Sequence, residues 1–115
     1  MSKKQDKIKR QLVKIYKEIA LERSFSCTGC GASGHSVFLS HSHIIPRSRR
    51  KDLELSKNNI TYHCLTYVDH DNNVRTGCHE VWESKQRFKL LDYFANLAYI
   101  KKVDKEYYYL IKENV

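Results

Sequence analysis

The chain has 115 residues and carries 21 Lys and Arg against 13 Asp and Glu, a formal net charge of +8 with neutral histidines. With 41% hydrophobic and 30% charged residues, the composition excludes a disordered chain, and no run approaches the ~18 consecutive apolar residues of a membrane helix. The basic surplus favours a polyanionic partner, nucleic acid ahead of an anionic membrane surface.

A chain of this length is expected to form one domain, 1–115, with a small core that a staple would support. The start, MSKKQDKIKRQ, has charge but no apolar run behind it, so no secretory signal is expected and the chain reads as cytoplasmic. Over 3–22, Ile8, Leu12, Ile15, Tyr16 and Ile19 recur at helical spacing with Lys and Arg between them. That pattern predicts a basic amphipathic helix within 1–24 whose stripe is a packing face. FSCTGCGASGH changes character and reads as a tight turn region.

VFLSHSH then alternates. It places Val37, Leu39, His41 and His43 on one strand face and Phe38, Ser40 and Ser42 on the other. Pro46 ends regular pairing, RSRRKD is a basic loop, and Lys57, Asn58 and Asn59 make a turn before the strand ITYHC. Residues 65–77 read as a polar hairpin with DHDNN at its turn. CHEVWESKQR can start a helix, with Trp82 in the core. RFKLLDYFANLAYI predicts a helix that turns Phe88, Leu91, Phe94, Ala95 and Ala98 to one side. DKEYYYLIKEN fits helix or strand. The expected fold is α+β: a core over 25–86, flanked by the N-terminal helix and a helical extension over 87–115.

The four cysteines are Cys27, Cys30, Cys64 and Cys78. In a chain without an export signal they point to metal before disulfides. Cys27 and Cys30 form a CxxC knuckle, whose small residues let the backbone wrap an ion. Cys64 and Cys78 are separated by 13 residues, and a hairpin there brings them together. Four thiolates complete a closed tetrahedral structural zinc site, which supplies order 10 kcal/mol of apparent binding energy to a small fold. Some of these cysteines could instead be small buried apolar residues.

Among six histidines, His43 ends a strand directly before IIPRS, and His79 follows Cys78, so a metal at Cys78 would fix its backbone. SHIIPRS, then NITYHC, then CHE, inside a cysteine frame, resemble the HNH endonucleases, the ββα-metal nucleases, over about residues 27–84. The resemblance implies a ββα-metal core and hydrolysis of DNA phosphodiester bonds, commonly leaving 5′-phosphate and 3′-hydroxyl ends. It implies that His43 is the general base, that Asn59 holds the base through a backbone contact, and that His79 is a ligand of the catalytic divalent cation, Mg²⁺, Mn²⁺ or another.

The physical logic agrees. Hydrolysis needs a water nucleophile, a base near neutral pKa and positive charge where the transition state gathers negative charge. The family usually has Asp, His or Glu immediately before the first His, as a second ligand; here that residue is Ser42. Glu83 shares a helix face with His79 and reads as the second ligand or as an exposed carboxylate. His41 reads as a third ligand or as a substrate-contacting or packing residue. Arg47, Arg49, Arg50 and Lys51 follow the base directly, suited to DNA phosphates. The competing reading is a zinc-stabilised nucleic-acid-binding module with weakened catalysis. Small free-standing proteins of the HNH type occur in phages and other mobile DNA. Monomer and homodimer both stay open.

Overall fold

The computed structural model describes residues 3–113; Met1, Ser2, Asn114 and Val115, at the outer ends of the two expected helical segments, lie outside them. The stripe read from the sequence folds as expected. Helix α1 (Lys3–Glu22) buries Leu12 and Ile19 and half-buries Ile8, Ile15 and Tyr16, while its lysines face outward. Past its end, the Arg23 guanidinium donates to the carbonyls of Lys57, at 2.8 Å, and of Ile60. That clamps the helix to the start of a strand.

Strand β1 (Leu39–His43) pairs antiparallel with β2 (Ile60–Cys64), with Leu39 opposite Cys64, His41 opposite Tyr62 and His43 opposite Ile60. Strand alternation divides the hairpin into two unlike faces. Ile60 and Tyr62 pack on Leu12 and Ile19 of α1. The other face is polar yet covered: Ser42, Thr61 and His63 are all buried. A short helix, α2 (Cys78–Trp82), lies over that face, with the Trp82 ring 6.2 Å from that of His63.

The expected hairpin over 65–77 is present as β3 (Tyr67–Val68) and β4 (Val74–Arg75). Its turn is built by Asp69, whose Oδ1 accepts from the backbone N–H groups of Asp71 and Asn73 at 2.9 and 3.0 Å. The hairpin returns the chain to Cys64. A Cβ on Gly77 would stand 2.3 Å from the Cys64 carbonyl oxygen, so only glycine permits this approach.

The C-terminal part corrects one expectation. The single helix read over RFKLLDYFANLAYI is broken into a one-turn 3-10 helix, Arg87–Lys89, and helix α3 (Tyr93–Val103). The buried face of α3 is Tyr93, Asn96, Leu97 and Ile100. Phe88, Leu91, Phe94, Ala95 and Ala98, expected to share the packed side, are exposed instead. Both stripes satisfy a 3.6-residue period, and the polar Asn96 disguises the one that packs. The ambiguous tail forms helix α4 (Lys105–Glu113), whose start is capped by Asp104 Oδ1 accepting from the Tyr107 N–H at 3.1 Å.

The main core joins Ile44, Ile45, Trp82, Leu97, Ile100 and Ile111 to three of the cysteines. Ile45 and Ile100 are fully buried, each worth about 1.5–3 kcal/mol. The fold is therefore α+β with flanking helices, as expected. No helix among the described residues is long and apolar enough to cross a membrane.

Candidate functional site

Two constellations meet at α2, through Cys78 and His79. The first is sulfur. The Sγ atoms of Cys27, Cys30, Cys64 and Cys78 all lie within 4.8 Å of one another, close enough to hold one metal ion. Cys27, Cys64 and Cys78 are buried and Cys30 is exposed. The backbone turns inward on the cluster: the N–H of Cys64 donates to Cys27 Sγ and the N–H of Cys78 to Cys64 Sγ, each at 3.3 Å. A Cβ on Gly29 would meet Cys78 Cβ at 2.8 Å, so the knuckle closes only with glycine there.

Burial opposes ionisation of Cys27. Nevertheless the N–H groups of Cys64, Cys30 and Gly29 hold this thiol below its ordinary value. Burial pushes Cys64 and Cys78 upward; Cys27 adds to both shifts, and Cys64 adds to that of Cys78. Four sulfurs crowded in a buried site, one biased to thiolate and two resisting it, need a cation to ionise together. The donor set and its closure fit a structural metal site.

The second constellation is a cavity of about 380 Å³ lined by His41, His43, Arg47, His79, Glu83 and Arg87, with Pro46, Trp82 and Tyr107 completing the wall. The tautomers of its two central histidines follow from their partners. His43 Nε2 lies 2.9 Å from the Glu54 carbonyl oxygen, which can only accept, so Nε2–H donates and Nδ1 carries the lone pair. Burial, followed by the Arg47 charge, pulls His43 below the ordinary imidazole value, against the Glu54 carbonyl.

Ser40 has one hydroxyl proton and donates it to the His63 carbonyl at 2.8 Å. Its oxygen is then the acceptor 3.0 Å from His79 Nδ1, so Nδ1–H donates and Nε2 of His79 carries the lone pair. That Nε2 is 3.4 Å from Glu83 Oε1. Two acceptors this close repel unless a cation or a proton lies between them, so the pair fits a cation ligand set.

Asn59, fully buried, ties the segment around His43 together. Its Oδ1 accepts from the Ile45 N–H at 2.8 Å, and its Nδ2 donates to the carbonyls of Ile45, at 3.0 Å, and Leu53, at 3.3 Å. Ile45 lies two residues after His43, and Leu53 precedes the Glu54 carbonyl that holds the ring.

The other expected residues divide. His41 lines the cavity, but its ring stacks on Tyr16 of α1 at 3.7 Å, and burial followed by the adjacent His43 lowers its pKa. Ser42 is 1% exposed and does not line the cavity. Arg47 lines it, half-exposed and 3.6 Å from Glu54. Lys51 lines an adjoining groove with Lys4, Ile8 and Arg47.

Arg49 and Arg50 correct the reading of the whole basic loop as phosphate-facing. Arg49 is paired with Asp104 at 3.1 Å and lies over the Tyr107 ring, 4.8 Å from its centroid. Arg50 pairs with Asp52 at 2.7 Å and donates to the Val103 carbonyl at 3.0 Å. Both fasten the loop to the α3–α4 junction. Sequence reasoning missed Ser40, Arg87 and Tyr107; none adjoins the motif residues with which it lines the site or bonds.

Compared with family models, with curated proteins and with solved structures, the chain finds no match.

Proposed function

We propose that the protein is a metal-dependent DNA endonuclease of HNH type, with a ββα-metal core stapled by zinc at Cys27, Cys30, Cys64 and Cys78. What carries the reading is the pairing of two differently held imidazoles in one cavity: His43 with Nδ1 free and His79 with Nε2 free toward Glu83. One nitrogen suits a general base and the other a cation ligand.

His43 Nδ1 takes a proton from water as the water oxygen forms its bond to phosphorus. The P–O bond to the departing strand breaks, and that oxygen leaves with a proton from solvent. Burial keeps His43 neutral at pH 7 and so ready to accept. His79 and Glu83 would hold the divalent cation, Mg²⁺ or Mn²⁺, with His41 as a third candidate ligand. That ion, when bound, supplies charge for the phosphoryl oxygens and the departing alkoxide. Arg47 and Lys51 hold flanking phosphates of DNA. That part of the affinity is sequence-independent and salt-sensitive.

A second reading has its own observation. Ser42 is buried and offers the cavity no ligand, which favours a zinc-stabilised nucleic-acid-binding module with weakened catalysis. Plasmid cleavage with Mg²⁺ and Mn²⁺ decides. The nuclease reading expects wild type to nick or cut and His43→Ala to be inactive with DNA retention and bound zinc unchanged. Equal behaviour of the two proteins with every divalent ion selects the binding module.

A further inference from the structure

The geometry points to Arg87 as the arginine that binds the scissile phosphate, a role no element of the HNH-like motif supplies. The inference rests on the cavity being the phosphodiester site. Arg87 stands in the 3-10 turn after α2, outside the segment that resembles the family. Its position is nevertheless fixed relative to the two histidines. Trp82 Nε1 donates to the Ile44 carbonyl at 3.1 Å, which locks the indole to the residue after His43. Arg87 Nε then donates to the Trp82 carbonyl at 2.9 Å, and the guanidinium lies over the indole, 5.5 Å from its centroid. The fork is thus held at one end, on a wall of the cavity that also holds His43 and His79.

What distinguishes Arg87 from its neighbours is the absence of an acid. Arg49 and Arg50 are spent on Asp104 and Asp52, and Arg47 leans on Glu54. Among the described residues no carboxylate lies within ion-pair distance of Arg87. A half-buried guanidinium with a fixed Nε, a π-face beneath it and no counter-charge is poised for an anion, and its planar fork matches two phosphate oxygens. It also answers the loss of a ligand at Ser42. Charge that the family places there through a carboxylate-held cation is supplemented here by the guanidinium in the same cavity.

Trp82 is the chain's single tryptophan, so its fluorescence reports on the surroundings of the indole that Arg87 covers. The experiment titrates the full chain with a short DNA duplex without added divalent cation, and measures single-turnover cleavage with Mn²⁺ separately. Lys89→Ala, in the same turn but outside the cavity, controls for lost charge. Arg87→Ala is expected to abolish the DNA-induced change in Trp82 fluorescence and to slow cleavage about 10²-fold. Lys89→Ala keeps both. Arg87→Gln, which can still donate to the Trp82 carbonyl, decides if the alanine variant fails to fold.

A variant at 87 that keeps both the fluorescence response and the rate of Lys89→Ala overturns the assignment. If wild type never cuts while the response still depends on Arg87, the phosphate site stands and the nuclease reading falls. If His43→Ala is dead and Arg87→Gln cuts at the wild-type rate, the nuclease reading stands and this assignment falls.

Discussion

The sulfur cluster and the histidine cavity share helix α2, through Cys78 and His79, yet they are built on opposite principles. In the cluster, four like donors converge within 4.8 Å, three of them buried, and backbone N–H groups close the remaining directions. In the cavity, donors of different kinds line an open space. His43 and His79 are each tethered through one nitrogen and leave the other unspent. A closed set of four is how a protein holds a structural ion, and an open mixed set is how it leaves room for a substrate. The comparison teaches that position alone does not assign a role: Cys78 and His79 are adjacent, and one helical step of about 100° sends them to different sites.

The largest expected effect lies in the cluster. Cys27→Ser is expected to lose zinc and unfold, because a structural metal would supply order 10 kcal/mol of apparent free energy to a fold this small. Circular dichroism and metal content read the outcome together. A folded, zinc-free and fully active variant would erase the distinction between scaffold and site.

The cavity should behave in the opposite way. His43→Ala is expected to lower the cleavage rate by roughly 10²–10⁴, the contribution of a positioned general base, with melting temperature and zinc content almost unchanged. Unfolding of this variant would mean that His43 serves the hairpin and the Glu54 loop more than the chemistry.

Ser40 sharpens the comparison, since it reaches the cavity through His79. Ser40→Ala leaves the His79 Nδ1–H without its acceptor and frees the ring to adopt the other tautomer. Metal affinity or activity is expected to fall by about 10–100-fold, read as a rise in the Mn²⁺ concentration needed for half-maximal cleavage. Ser40→Thr, which keeps a hydroxyl, should recover much of it.

The parts legible in the sequence were those whose signal is local. The stripe of α1, the Asp69 turn that closes residues 65–77, and the knuckle at Cys27 and Cys30 each depend on residues within a few positions of one another. The α+β class followed from them. The convergence of Cys64 and Cys78 was legible because a hairpin must return on itself. What could not be read were partnerships across the chain. Nothing near Arg49 and Arg50 announces Asp104, 55 and 54 positions away, and nothing near His79 announces the hydroxyl of Ser40 on β1. The α3 face failed for a different reason. Its two stripes are equally periodic, and which of them packs is a tertiary fact.

Asp92 also gives the smallest test, at the seam where α3 joins the sulfur cluster. Its Oδ2 accepts from His63 Nε2 at 2.8 Å and from the Thr28 hydroxyl at 2.7 Å. Thr28 stands inside the CxxC knuckle and His63 directly before Cys64, so one carboxylate braces both halves of the cluster against the helix. Burial pushes this carboxyl up, but the hydrogen bonds from His63 and Thr28 outweigh it and hold Asp92 below its ordinary 3.8. The folded state therefore prefers the carboxylate. The resulting stability is fully present above the ordinary value and is lost as pH falls through the lower folded one. Asp92→Asn keeps an acceptor oxygen but removes the charge. At neutral pH it is expected to cost about 1 kcal/mol, the difference between charge-assisted and neutral hydrogen bonds. Comparing both proteins at the same pH and zinc concentration cancels the metal's own acid sensitivity. The stability gap between them, from urea unfolding, should be constant from neutral pH to the region of 4 and shrink below it. A gap that widens on acidification would mean that the carboxyl is stabilised in its protonated form, and that α3 is held to the cluster by packing of Tyr93 and Leu97 instead of by this charge.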